Sequence, residues 1–405
     1  MNRRSFLASI AGALAAGCDV SWREGLRNGC RAALPAALAS HPLVTRAWAG
    51  VDAAKCWDVH CHLFGNGDSG SGLWFNPAMA TLLRPQQFVQ RLFYLNAGCV
   101  HDSPGHVDAS VVDRLQNQCA ALPRGAKVVL LAFDWARDVA GTPLEDRSTF
   151  YVPDAYAAAV ALSDPTRFEW AASVHPHATD ALSRLDWAAA NGARAIKWLP
   201  SAQGIDPASP RCDAFYRHLA SLRLPLISHA GDERAVRGHD EALGNPLRLR
   251  RPLDAGVRVI VAHCASLGAG QDLDRGSAGP LVANFALFAR LMDAPAYDGR
   301  VFGDISAVTQ GNRIDVLATL IERRDWHSRL LNGSDYPLPG ILPLVSPDLI
   351  AERGLIAAEA VPVLREIREH NVLLFDFVLK RSVESGGTRF GRTVFETRSF
   401  FADPT

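Results

Sequence analysis

Short apolar runs recur along the middle of the chain, and segments with helical spacing separate most of them. The run Lys127–Trp135, which reads KVVLLAFDW, is nearly continuous in its apolar character, as suits a parallel strand buried on both faces. Such runs predict strands at 56–65, 127–135, 167–177, 193–200, 224–231, 257–266, 300–306 and 328–335. The spacing between the runs predicts helices at 85–97, 106–122, 178–190, 213–222, 247–255, 279–292 and 314–323.

The alternation of these strands and helices indicates the fold class. Alternating β and α elements favour a parallel sheet, and eight repeats favour a closed barrel. No Gly-rich phosphate fingerprint follows any of the strands, so an open dinucleotide-binding sheet is the weaker interpretation. We therefore predict an α/β fold, a TIM-type (β/α)8 barrel over 56–342, with C-terminal helices and a tail over 343–405.

The first residues have the layout of an export signal. Two adjacent arginines precede a short apolar run, and Asn2–Leu7 resembles a bacterial twin-arginine signal, with an ordinary Sec signal as the alternative. Leu14–Cys18 also resembles a lipoprotein cleavage box, although Ala15 stands where such boxes usually carry Leu. We predict a signal peptide over 1–18 and a periplasmic or otherwise exported protein. Acylation of Cys18 would anchor it to the membrane.

Composition narrows the class of partner. Lys and Arg together number 42, as do Asp and Glu, so the zero formal charge gives no support for nucleic-acid binding. Hydrophobic residues make up 48% of the chain, which allows a large core. The Arg- and Ala-rich segment 19–55 predicts a tether or a helix before the barrel. The eight cysteines could pair in an exported protein, but acylation of Cys18 would leave an odd number.

Ionisable side chains fall at the C-terminal ends of the predicted strands, where a barrel of this kind carries its chemistry. Alternation along the first strand places three side chains on one face: Asp58, His60 and His62. It places Trp57, Val59 and Cys61 on the other. Two imidazoles beside a carboxylate form half of a divalent metal site. The later strands supply, in chain order, Asp134, His175, His177, Lys197, His229, His263, Asp304 and Asp335.

The order of these residues resembles a known family. The arrangement resembles that of the amidohydrolase superfamily. It consists of six residues on strands one, four, five, six and eight: His60, His62, Lys197, His229, His263 and Asp335. The local sequences AIKWLP, SHAG, AHCAS and GSDYP resemble its amidohydrolase-related branch, which contains the aminocarboxymuconate-semialdehyde decarboxylase-like enzymes. The resemblance covers residues 56–380 and implies a metal-dependent enzyme.

The resemblance also implies roles for the individual residues. His60 and His62 would bind the more buried metal, His229 would be a further ligand, and Asp335 would be both a ligand and the general base. His263 is either a ligand of a second metal or an acid/base catalyst that binds no metal. Lys197 would bridge two metals once carboxylated. As a plain ammonium it could instead hold a substrate carboxylate, or it could pair with Asp134 or Asp304 in a structural ion pair.

Imidazole and carboxylate ligands suit one or two zinc ions, with manganese or iron as alternatives. We predict a hydrolase that acts on a small amide, lactone or ester. The alternative is a lyase, a non-oxidative decarboxylase or hydratase that uses the same metal on a small carboxylic acid. A non-catalytic metal-binding lipoprotein is disfavoured because His263 and Asp335 complete a catalytic set. We predict a small-molecule substrate, which the sequence does not identify. The sequence is also compatible with a homo-oligomer.

Overall fold

The computed structural model describes residues 30–402, except 32, 101–104, 237, 277 and 342–343. The predicted signal peptide, Cys18 and part of the predicted tether lie outside the described residues. Where the structure describes the chain, no helix is both long and apolar enough to cross a membrane.

Eight of the twelve described strands form two parallel sheets that together make the barrel wall, and the other four form two antiparallel pairs. In chain order the strands are β1 (Trp57–His62), β2 (Trp74–Phe75), β3 (Lys127–Leu131), β4 (Phe150–Tyr151), β5 (Phe168–Ala171), β6 (Ile196–Trp198), β7 (Leu226–His229), β8 (Val259–Ala262), β9 (Ala269–Gln271), β10 (Leu281–Ala283), β11 (Val301–Asp304) and β12 (Leu330–Leu331). One sheet has the order β1-β3-β5, and the other β6-β7-β8-β11-β12. The antiparallel pairs are β2 with β4 and β9 with β10. Parallel bridges from Ala172 to Ile196 and from Cys61 to Tyr336 close both seams. The predicted (β/α)8 barrel is therefore confirmed.

The helices surround this wall and continue beyond it. Those described are Ala36–Ala39, Pro42–Trp48, Pro85–Ala97, Val107–Ala120, Asp154–Ser163, Ala181–Ala190, Pro200–Gln203, Asp213–Ser221, Arg250–Asp254, Asn284–Met292, Leu317–Glu322, Pro347–Glu352, Ala360–His370, Val372–Ser382 and Arg398–Phe401. The predicted helix 279–292 begins late because its first residues pair with β9 as β10. The helix Asp154–Ser163 was not predicted, since its sequence DAYAAAVALS has little polar-to-apolar periodicity.

Two hydrophobic clusters fill the molecule, one inside the barrel and one between the barrel and its helices. The inner cluster consists of Trp57, Val59, Val129, Leu131, Ala171, Ala195, Ile227, Ile260, Leu331 and Phe400. Phe400 comes from the last described helix, and its neighbour Phe401 stacks on Trp57 with ring centroids 5.6 Å apart. The C-terminal segment thus covers the end of the barrel where β1 begins.

A disulfide between Cys30 and Cys99 ties the start of the described chain to the end of the helix Pro85–Ala97. The other cysteines within the described residues are free and buried, namely Cys56, Cys61, Cys119, Cys212 and Cys264. Cys61 and Cys264 are completely buried, as suits a free cysteine acting as a small apolar side chain.

Candidate metal centre

The first strand does not keep a simple alternation of faces. Its register with β3 shifts between Asp58 and Cys61, which marks a bulge or irregularity in the strand. Val59 packs inside the barrel, whereas Cys61 packs in the outer cluster. The predicted grouping of these two side chains on one face is therefore wrong, because a bulge re-aims the residues that follow it. Asp58 Oδ1 accepts the backbone N–H of His60 at 3.0 Å instead of completing a ligand set.

His60 lies at the centre of the site, and both of its ring nitrogens have close neighbours. Nδ1 lies 2.9 Å from Asp304 Oδ2, and Nε2 lies 3.1 Å from Lys197 Nζ. A carboxylate on Nδ1 favours the tautomer in which Nδ1 donates and Nε2 keeps its lone pair. Complete burial, reinforced by the charge of Lys197, holds the pKa of His60 well below its usual value. The imidazole is therefore neutral, as a metal ligand must be.

Asp335 joins the two histidines of β1. Its Oδ1 lies 3.1 Å from His62 Nε2 and 3.6 Å from His60 Nε2. One ligand atom from each of the three residues lies within 4.8 Å of the others. Burial alone would raise the pKa of Asp335, but the hydrogen bond from His62 and nearby positive charge outweigh burial and lower it. The carboxylate is therefore ionised at neutral pH.

His263 forms a second group with His60 and Asp304, again with ligand atoms within 4.8 Å of one another. Its Nδ1 lies 2.8 Å from Ser306 Oγ, and its backbone N–H donates to Asp304 Oδ1 at 3.0 Å. The backbone at His263, Cys264 and Ala265 has φ of 55°, 51° and 48°. Such a left-handed run of non-glycine residues is strained and is typical of functional sites.

His229 packs edge-on against His263, with ring centroids 5.2 Å apart. Its Nε2 lies 3.1 Å from Glu233 Oε2, but neither ring nitrogen makes a hydrogen bond to any described residue. Burial lowers the pKa of His229 to about 4, so the ring is neutral. A buried neutral imidazole whose ring nitrogens lack hydrogen bonds to the described residues is suited to act as a metal ligand.

The predicted residues thus converge at the C-terminal ends of β1, β6, β7, β8 and β12. The sequence model of the family described as Amidohydrolase (Amidohydro_2) matches residues 57–342. The chain belongs to the amidohydrolase family. This confirms the predicted superfamily.

Among solved structures, this amidohydrolase is similar to an uncharacterized TIM-barrel protein from Bordetella bronchiseptica, with 15% identity over 78% of this chain and 99% of that one, and a TM-score of 0.46. A putative 2-pyrone-4,6-dicarboxylic acid hydrolase from Pseudomonas putida has 15% identity, coverage of 85% and 97%, and a TM-score of 0.44. A 5-carboxyvanillate decarboxylase from Novosphingobium aromaticivorans, complexed with manganese, has 11% identity, coverage of 85% and 95%, and a TM-score of 0.45. No curated protein matches the chain.

Lys197 of this amidohydrolase is almost completely buried, at 1% exposure, directly beside His60. The predicted alternative of a structural ion pair is wrong, because no carboxylate in the described part of the chain pairs with Lys197. Burial lowers its pKa to about 8, against the opposing attraction of Asp304 and Asp335. An amine in this position could carry either a proton or a carboxyl group.

Several strand-end residues of the amidohydrolase lie outside the ligand group. Asp134 pairs with Arg184 at 2.7 Å and with Arg137 at 3.2 Å. His175 has both ring nitrogens engaged, since Nδ1 accepts the backbone N–H of His177 at 3.1 Å and Nε2 lies 3.1 Å from the carbonyl of Gln203. Asp134 and His175 are therefore held in a structural network.

Arg313 is a site residue that the sequence reasoning missed. It is 5% exposed, follows β11 in a loop, and donates to Ser266 Oγ at 3.2 Å. Its Nε has no hydrogen-bond partner, and no carboxylate of the described residues forms an ion pair with it. After burial itself, the charge of Arg313 is the main influence that lowers the pKa of His263, which places the guanidinium close to the site. No motif surrounds Arg313 that could have identified it.

Proposed function

We propose that this amidohydrolase is a metal-dependent hydrolase of a small amide, lactone or ester that carries an anionic group. The observation that carries the proposal is the meeting of His60, His62 and Asp335, with ligand atoms within 4.8 Å of one another at the strand ends. Two imidazoles and one ionised carboxylate suit zinc, with manganese or iron as alternatives. The set contains a base as well as ligands, which a purely structural metal cage does not need.

The residues divide the chemistry of hydrolysis between them. A divalent ion held by His60, His62 and Asp335 would polarise the substrate carbonyl and make water more acidic. Asp335, ionised and buried, accepts the proton of the attacking water and returns it to the leaving group. Nδ1 of His263 is hydrogen-bonded to the Ser306 hydroxyl group. The other ring nitrogen, Nε2, is therefore the one available to a metal or to the substrate.

Arg313 supports an anionic substrate. Among the described residues no carboxylate contacts this buried guanidinium directly, although Glu233 and Asp335 attract it from a distance. A buried charge without a direct partner is costly, so such a group usually has a use. Guanidinium groups bind carboxylates through paired, charge-assisted hydrogen bonds. We infer that a substrate carboxylate supplies the missing partner of Arg313.

Arg313 would serve a non-oxidative decarboxylase as well, which makes decarboxylation the second candidate reaction. A non-oxidative decarboxylase requires a carboxylate on its substrate, and Arg313 would hold it. The two reactions differ in their products, because hydrolysis adds water to a C–N or C–O bond whereas decarboxylation releases carbon dioxide.

We expect the purified protein to contain zinc or manganese, to lose activity when a chelator removes the metal, and to regain it when the metal returns. Metal content is measured by elemental analysis, and activity on a panel of lactones, esters and amides, each with and without a carboxylate. Carboxylated substrates should be hydrolysed faster. Release of carbon dioxide without hydrolysis would establish the lyase, and a protein that binds no divalent metal would contradict both.

An arginine substitution serves as the control for substrate class in this screen. Arg313→Gln should raise KM for the carboxylated substrate by about tenfold or more, since a hydrogen bond to a charged group contributes about 1.5–3 kcal/mol. The uncharged analogue should be turned over as before. Arg389→Gln, at an exposed arginine paired with Glu384, is the matched variant. An equal loss on both substrates would argue against a carboxylate contact.

We also infer that the protein is exported, as Asn2–Leu7 indicates. The Cys30–Cys99 disulfide supports this proposal, because disulfides persist in oxidising compartments. Arg3→Lys with Arg4→Lys should keep the protein in the cytoplasm, as shown by fractionation. Delivery to the periplasm by the doubly substituted protein would indicate the Sec route instead. Cys18→Ala should release a soluble form if Cys18 is acylated, and an unchanged membrane fraction would remove the lipoprotein interpretation.

A further inference from the structure

A buried ion pair that is not part of the predicted ligand set lies on the C-terminal extension. Lys380 and Asp376 are one turn apart on the helix Val372–Ser382, with side chains 0% and 2% exposed and a distance of 2.6 Å between Nζ and Oδ2. Lys380 Nζ also donates to the backbone carbonyl of Gly333 at 2.6 Å. Apolar residues of similar volume often stabilise a core as well as a buried ion pair does. Stability alone therefore does not account for this pair.

The carbonyl that Lys380 holds belongs to the short segment that carries Asp335. The backbone N–H of Asp335 donates to the carbonyl of His60 at 2.8 Å, so this segment lies directly against β1. A Cβ added to Gly333 would lie 2.7 Å from the Cβ of His60, which shows how close the two backbones are. Asp335 itself has φ of 60°, in the left-handed region. Its position therefore depends on contacts that hold the segment from both sides, and Lys380 supplies one of them.

The helix that carries Lys380 is itself firmly held. Phe377, on the same helix, stacks on Trp48 with ring centroids 3.9 Å apart. The side chain of Gln118 accepts the first backbone N–H groups of the helix, those of Val372 and Leu373, at 3.1 and 3.2 Å. The ammonium group is thus presented from a fixed support.

We propose that Lys380 is a positioning residue of the metal centre, which fixes the segment bearing Asp335 through the carbonyl of Gly333 and so raises the affinity for the metal. Asp376 orients the ammonium group and compensates its charge. The inference rests on the proposed function, because it takes Asp335 to be a metal ligand.

Two variants separate positioning from mere stability. Lys380→Met leaves the buried carboxyl of Asp376 without its partner, so it should lower the melting temperature and weaken metal binding together. Lys380→Met with Asp376→Leu removes both polar groups and should recover much of the melting temperature. Its metal dissociation constant, measured by competition with a chelator, should stay about tenfold or more above that of the wild type, the size typical of losing an outer contact to a metal ligand.

Lys127→Met is the matched control, since Lys127 also pairs with a carboxylate, Glu169, at 2.6 Å but lies at the start of β3. It should leave metal affinity unchanged. Wild-type affinity in the double variant would overturn the positioning role while leaving the proposed function intact. A wild-type protein that binds no metal would overturn both.

Discussion

Asp335→Asn is expected to lower kcat by about 10³-fold, within the range found for a lost general base. The amide has nearly the shape of the carboxylate, so the fold should persist, but it neither accepts a proton at neutral pH nor carries the charge that a dication attracts. Metal affinity should fall in parallel. Both quantities are measured on the purified variant, by initial rates and by competition with a chelator.

Asp315→Asn is a suitable control for this substitution, because the Asp315 side chain is 82% exposed and pairs with Arg353 at the surface. Its activity should equal that of the wild type. An Asp335→Asn enzyme that kept more than a tenth of the wild-type rate would show that another group acts as the base.

Lys197→Ala is expected to reduce the bound metal from about two ions per chain to one, and to lower activity by about 10²-fold, the size typical of losing one electrostatic contact to the reacting group. The reason is electrostatic. An ammonium 3.1 Å from His60 Nε2 would repel a metal ion there, whereas addition of the neutral amine to carbon dioxide, with loss of a proton, gives a carboxylate with two ligand oxygens. Added bicarbonate should not rescue the alanine variant.

Lys197→Met fills most of the buried volume and separates the loss of the ligand from the effect of a cavity. It should show the same metal content as Lys197→Ala. One ion per chain in the wild type, unchanged in either variant, would exclude the bridge. His263 would then act as an acid/base catalyst, and the decarboxylase would become the better candidate.

The barrel was predictable because every strand of its wall is buried on both faces. Each strand therefore appears in the sequence as an apolar run, independent of the segments that flank it. The ligand group was predictable in part, since strand ends meet at one edge of the barrel. Position alone could not separate Asp134 from Asp335, however. The two differ in what surrounds them: arginines neutralise Asp134, whereas imidazoles surround Asp335.

Other features depend on contacts between distant parts of the chain. The register shift in β1 changes which side chains face the site, and nothing in the sequence CWDVHCHLFG marks it. Arg313 and Lys380 are ordinary cations in sequence, and only their burial singles them out. The hydrophobic pattern of one segment predicts a helix or a strand. The position of a single side chain depends instead on the distant residues that the fold brings next to it.

The covering of the barrel by Phe400 and Phe401 has a consequence for the order in which the molecule can assemble. The backbone N–H of Trp57, at the start of β1, donates to Thr397 Oγ1 at 3.1 Å across 340 positions of sequence. During synthesis the strand with the first two histidines leaves the ribosome long before its anchor exists. A nascent chain that already contained every predicted ligand would still have an open barrel base. The start of the first strand thus gains this anchor only late in translation, whereas its pairing with β3 can form earlier.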